Sequence, residues 1–170
     1  MTASLFAAPS PIAKHHELGG FDSGVASLDD WLKRRARSNQ ASGASRAFVV
    51  CEGTKVIAYY ALASGSVAIS AATGRFSRTT PAPIPIVVIG RLAIDRSQQR
   101  RGLGRALFRD AAFRILNAAE AIGIRGILVH AISDDAKAFY MALGFEPSPI
   151  EPMTLMVTLS DVRAACNPKA

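Results

Sequence analysis

The chain reads as an α/β protein, a central mixed and twisted β-sheet flanked by helices, and three observations predict it. Apolar, β-branched runs at 46–52, 56–69, 86–94 and 127–132 have the length and composition of strands. Helical spacing of apolar residues recurs at 25–38, 103–116 and 136–143. At 84–116 an apolar strand runs into a basic glycine loop and then a helix, the junction on which α/β proteins place ligands.

An opening strand is expected at 13–18, closed by Gly19-Gly20. A helix follows over 25–38, with Ser23 as its cap and Val25, Leu28, Leu32 and Ala36 on one face, widened by Trp31. Lys33, Arg34 and Arg37 fall on the other side, and Asp29 and Asp30 stand four residues before Lys33 and Arg34, the spacing of helical ion pairs. Strands at 46–52 and 56–69 around Gly53-Thr54 make a hairpin. Gly74, Pro81, Pro83 and Pro85 among Ser and Thr mark 70–85 as a loop. The helix after the glycine loop is apolar over a wide arc (Leu103, Ala106, Leu107, Ala111, Phe113, Leu116) and should lie on a sheet. The next strand, 127–132, is apolar apart from His130. Ser133 then caps a helix with Asp134 and Asp135 in its first turn, ending at Gly144, and Phe145 begins a strand region reaching 159. The chain is expected to form a single domain over 1–170, with 161–170 as a flexible tail.

Composition narrows the classes. No apolar run approaches the roughly 20 residues of a membrane helix. Residues 1–9 lack a basic, then apolar, leader, so a cytoplasmic protein is expected. Cys51 and Cys166 are too few for a disulfide framework, and His15 and His16 belong to no ligand cluster, so no metal is expected. The net charge is +7, unevenly spread: between Lys33 and Arg114 fifteen Lys or Arg face three acids, Glu52, Asp95 and Asp110. Most are arginines, suited to bidentate phosphate contacts, and a polyanionic partner or a merely basic surface would each produce this pattern.

The loop supplies the chemistry. Gly102 and Gly104 lack a Cβ, so a ligand can approach the main chain. The helix start adds unpaired N–H groups and a positive dipole end, and Arg96, Arg100, Arg101 and Arg105 add charge. Such a site suits a pyrophosphate.

Arg91-Leu92-Ala93-Ile94, then Gln99-Arg100-Arg101-Gly102-Leu103-Gly104, resembles the acetyl-CoA motif of the GNAT N-acetyltransferases, and 136–145, ending in Gly144-Phe145, resembles that family's second signature. The resemblance covers roughly 46–160. Phe21-Asp22-Ser23-Gly24, Leu28-Asp29-Asp30-Trp31-Leu32, the 46–49 and 56–62 strands and the phrases Gly90-Arg91-Leu92-Ala93-Ile94-Asp95 and Val129-His130-Ala131 are similar to a narrower group, the GNAT toxins of bacterial toxin–antitoxin modules. The resemblance implies a GNAT fold and an enzyme that acetylates the α-amino group of aminoacyl-tRNA, blocking translation. It also implies neutralisation by a ribbon-helix-helix antitoxin, and a homodimer.

It further implies roles by residue. Leu92, Ala93 and Ile94 would bond the pantetheine arm as an added strand. Gln99, Arg100, Arg101, Gly102, Leu103, Gly104 and Arg105 would wrap the pyrophosphate, with Ser133 a further cofactor contact. Tyr140 would be the general acid that protonates the leaving thiolate, its phenol pKa of about 10 keeping it protonated at neutral pH. No general base is evident. An α-amine, with a pKa of about 7.7–8.0, is partly neutral in the cell, whereas a lysine amine near 10.4 is not. His130 is a candidate water-mediated base. Lys33, Arg34, Arg37, Arg46, Arg75, Arg78 and Arg91 are candidate acceptor-stem contacts, which would supply affinity and leave base identity mostly unread. Two alternatives stand beside this reading: acetylation of a small-molecule or protein amine, and a CoA-binding co-repressor in an antitoxin–operator complex.

Overall fold

The computed structural model of the chain describes residues 6–76 and 82–166. Its elements run β1 (Ser10–Pro11), α1 (Ala26–Arg34), α2 (Ala36–Ser42), β2 (Arg46–Glu52), β3 (Lys55–Val67), β4 (Ile84–Ile94), α3 (Leu103–Ala118), β5 (Gly126–His130), α4 (Asp134–Ala142), β6 (Glu146–Pro147), β7 (Thr154–Thr158) and α5 (Leu159–Cys166). The strands follow the order β1-β2-β3-β4-β5-β7-β6. The sheet is mixed: β4 and β5 are parallel, Ile86–Ile89 against Gly126–Val129, while β1–β2, β2–β3, β5–β7 and β6–β7 are antiparallel.

Contacts divide the chain into two compact units. The first takes the residues up to Ala63 together with Gly90–Ala111. Its core gathers Phe21, Leu32, Ala36, Ala47, Val49, Val56, Tyr59 and Ala93. The α1 stripe of Leu28 and Leu32 packs here because its apolar positions share one helical face. The second unit takes Ser64–Ile89 and the residues from Ala112. Its core gathers Val67, Phe76, Ile84, Ile86, Leu128 and Met156. Gly126 is required there, since a Cβ would stand 2.5 Å from the Phe76 ring and from the Val157 carbonyl oxygen.

Four expectations are corrected. Residues 13–18 form turns and a single bridge at Glu17 to Lys55, and the opening strand is instead Ser10–Pro11. The helix expected over 25–38 is two helices broken at Arg35, whose ψ of −29° goes with a non-helical φ of −121°. Ser23 does not cap α1: Val25 is the cap residue, and the Ser23 hydroxyl accepts from the Val25 N–H at 3.2 Å while donating to Asp29 at 2.6 Å. The tail expected from 161 is helical as far as Cys166, because Leu159 and Val162 are buried and the Thr158 hydroxyl accepts from the Asp161 N–H at 3.0 Å.

Candidate functional site

In the first unit, β4 ends at Ile94 and the loop to α3 begins. The β5 ladder stops at Ile89, so Leu92, Ala93 and Ile94 lie past its end, where a strand-like ligand can take the edge. Asp95 N–H donates to the Ile57 carbonyl at 2.8 Å, which holds the residue after β4 against β3. A short 3₁₀ turn, Arg96–Gln98, follows.

The loop then turns through two left-handed positions, Arg100 at φ 65° and Gly102 at φ 79°. Alternation of this kind curls successive N–H groups toward one point, a nest for an anion. A Cβ at Gly102 would meet nothing within 4 Å, so the space over the glycine is open. The first carbonyl-bonded N–H of α3 is that of Ala106, which donates to Gly102 at 3.2 Å. Among the described residues, no acceptor is bonded by the N–H groups of Leu103, Gly104 or Arg105. Arg100 and Arg105 are exposed and have no acidic partner among the described residues, while Arg101 donates to the Gln98 side chain at 3.3 Å. These donors and charges fit a pyrophosphate.

Gln99 does different work from its neighbours. Its side-chain amide donates to the carbonyls of Ser23 and Ile94, each at 2.8 Å, so it braces the loop and has no amide hydrogen directed at a ligand by these bonds.

In the second unit, the Ser133 hydroxyl accepts from the Ala136 N–H at 3.1 Å and caps α4, which carries Asp134 and Asp135 in its first turn. Tyr140 lies on this helix and is 8% exposed. Its ring meets Phe139 at 5.1 Å and Phe145 at 5.4 Å, both edge to face. Burial pushes the Tyr140 phenol up to about 12. No group among the described residues hydrogen-bonds its hydroxyl, which leaves that proton for a ligand. His130, at the end of β5, is exposed, and its Nδ1 lies 3.0 Å from the Thr154 hydroxyl.

The basic residues sort into free and tied. Lys33 and Arg34 are exposed, and the ion pairs expected from Asp29 and Asp30 do not form. The segment before α1 folds back, and the Asp29 carboxylate is taken by the N–H and hydroxyl of Ser23, at 2.9 and 2.6 Å. Arg35, at the break between helices, is a third exposed cation beside them, and sequence reasoning missed it because the break was read as continuous helix. Arg37 donates to the carbonyls of Ala13, Lys14 and His16. Arg46 donates to the Gln40 carbonyl at 2.8 Å. Arg91 is half-buried over the Trp31 ring. Arg75, in the second unit, is bonded to Asp161. Arg78 lies outside the described residues. Among the described residues no group of His, Cys, Asp or Glu could hold a metal ion, and no helix is long and apolar enough to cross a membrane.

Comparison with known proteins gives these features a context. The acetyltransferase (GNAT) domain family matches residues 43–147. A tRNA-acetylating toxin of Mycobacterium tuberculosis is 48% identical over 94% of this chain and 96% of its own. A probable toxin TacT of Sinorhizobium fredii is 30% identical over 88% of each chain. Among solved structures, AtaT complexed with acetyl-methionyl-tRNAfMet superposes with a TM-score of 0.87 at 27% identity, over 94% of this chain and 98% of that one. AtaTR bound with AcCoA gives a TM-score of 0.80 at 27% identity, over 94% and 97%.

Proposed function

Since the chain belongs to the acetyltransferase (GNAT) family, we propose that it is a toxin which transfers the acetyl group of acetyl-CoA to the α-amino group of aminoacyl-tRNA and so blocks translation. The likeness to a tRNA-acetylating toxin over nearly the whole of both chains supports the acceptor. The observation that carries the cofactor is the loop: three N–H groups without acceptors among the described residues, at Leu103, Gly104 and Arg105, beside the exposed charges of Arg100 and Arg105.

Acetyl-CoA supplies an activated acyl group as a thioester. Leu92–Ile94 bond the pantetheine arm, the N–H nest and its arginines hold the pyrophosphate, and Ser133 is a further contact. The acceptor amine attacks in its neutral form; as the new C–N bond forms and the C–S bond breaks, Tyr140 gives its proton to the sulfur. The amine gives up a proton to water, and Tyr140 is reprotonated from solvent, so the step balances without a dedicated base. The raised Tyr140 phenol suits this role, because it stays protonated across the neutral to mildly alkaline range in which the amine loses its proton.

Lys33, Arg34 and Arg35 form the leading RNA contact, since they are exposed and have no acidic partner among the described residues. The protein acts in the cytoplasm as a homodimer and is neutralised by a ribbon-helix-helix antitoxin. AtaT is known bound to the C-terminus of its antitoxin AtaR, and the AtaT–AtaR complex bound to DNA, so a role with the antitoxin on operator DNA accompanies the catalytic one.

The test is incubation with acetyl-CoA and total charged tRNA, followed by mass spectrometry of the released aminoacyl-adenosines. Acetylated aminoacyl-adenosine is the expected product. Acetylation of free amines or proteins with none on tRNA would overturn the acceptor.

A further inference from the structure

The cofactor loop is tied to a segment upstream of the family-matched span, which begins at residue 43. The tie centres on Asp95, the residue after β4, which is 7% exposed. One of its carboxylate oxygens accepts the Asp22 N–H at 2.9 Å. The other accepts the Ser97 N–H at 3.1 Å and the Ser97 hydroxyl at 2.7 Å. Burial would raise this carboxyl, but the Ser97 hydroxyl, the N–H groups of Asp22 and Ser97 and the Lys55 charge together hold it below its ordinary value. It is therefore an ionised acceptor of three hydrogen bonds, the stronger, charge-assisted kind.

The same two segments are joined three more times. The Arg96 N–H donates to the Asp22 carbonyl at 2.8 Å, and Arg96 Nε lies 3.2 Å from the Asp22 carboxylate. The Gln99 amide closes the far end on the Ser23 carbonyl at 2.8 Å. Gly24 permits this approach: its φ is +92°, and a Cβ there would press to 3.3 Å from Arg96 Nε.

We propose that Asp95 is a positioning residue for acetyl-CoA, fixing the 95–99 loop on the Asp22–Gly24 segment so that the N–H groups of Leu103, Gly104 and Arg105 are aimed before the pyrophosphate arrives. The proposal rests on the assignment of this loop to the pyrophosphate. An untethered glycine loop would lose its freedom on binding, and the tether removes that loss in advance. Asp95 acts through the backbone and does not itself touch the ligand, since an anion would repel it.

The experiment compares acetyl-CoA with S-acetylpantetheine, which carries the same thioester and pantetheine arm without the pyrophosphate, using charged tRNA as acceptor. Asp95→Asn should lower kcat/KM for acetyl-CoA about tenfold through KM, with kcat within about twofold and S-acetylpantetheine turnover unchanged. Ser97→Ala, which removes the Ser97 hydroxyl from the Asp95 carboxylate, should give the same signature at about threefold. A fall by one common factor for both thioesters would reduce Asp95 to a residue that only holds the fold, and no fall for either would remove its role; both outcomes overturn the proposal. Should Asp95→Asn fail to fold, Ser97→Ala decides alone on the same criterion. A failure of the underlying loop assignment looks different: the wild-type protein itself would then use the two thioesters equally well.

Discussion

The guanidinium carbon of Arg91 lies 4.8 Å from the centroid of the Trp31 ring, so a cation on β4 is clamped to an aromatic on α1. Trp31 is in turn stacked on Tyr59, with centroids 5.9 Å apart and planes within 9°, and the Tyr59 hydroxyl donates to the Leu28 carbonyl at 2.7 Å. Trp31→Ala removes the middle of this stack, and it should lower the unfolding free energy by about 2–3 kcal/mol, less than a fully buried tryptophan would cost. Denaturant unfolding reads it; unchanged stability would make the stack idle.

Tyr140→Phe should cut kcat by about a hundredfold or more while leaving acetyl-CoA affinity unchanged by calorimetry. Because burial raises the phenol to about 12, the wild-type rate should rise with deprotonation of the acceptor amine and show no falling limb from Tyr140 up to about pH 10. The same shift has a stability sign. The folded state favours the neutral phenol, so its contribution is full below an unfolded value of about 10 and is lost as pH rises toward the folded value. Tyr140→Phe should therefore flatten the alkaline loss of stability, and an identical alkaline profile in the two proteins would contradict the burial.

Gly102→Asp should fold and yet fail to bind acetyl-CoA. The open space over Gly102 means that no neighbour is struck, and the cost is the strain of a side chain at φ 79°, about 1–2 kcal/mol. The carboxylate, however, stands where the pyrophosphate belongs. Calorimetry showing unchanged affinity would refute the loop assignment.

Lys33→Gln and Arg34→Gln should each weaken binding to charged tRNA and reduce the slope of log affinity against log salt by up to about 0.9. Arg37→Gln should instead show mainly as lost stability, since Arg37 is spent on the carbonyls of Ala13, Lys14 and His16. Equal salt slopes for the wild-type, Lys33 and Arg34 proteins would place the RNA elsewhere.

What the sequence made legible is what local chemistry specifies. The glycine loop, the Ser133 cap and the end of α4 at Gly144 (φ +104°) each depend on residues a few positions apart. The bonds joining Asp22 to Asp95 and Ser23 to Gln99 span more than seventy residues, and no spacing rule reaches that far. Those distant partners also explain the misread positions. Ser23 looked like a cap, and Asp29 like half of a helical ion pair, until the chain folded them onto each other. The Ser23 carbonyl that the Gln99 amide braces was likewise beyond any local spacing rule. Arg75 and Arg37 stood among the candidate acceptor-stem contacts because a count of charges does not show which are already bonded.

A cradle that grips a pyrophosphate cannot tell a loaded carrier from a spent one, because free CoA keeps that group after the acetyl has left. On the proposed assignment, product and donor would therefore compete for the nest at Leu103, Gly104 and Arg105. In an enzyme of the proposed activity, accumulating free CoA would then slow turnover, and the supply of activated acetate relative to spent carrier would act as a throttle on it.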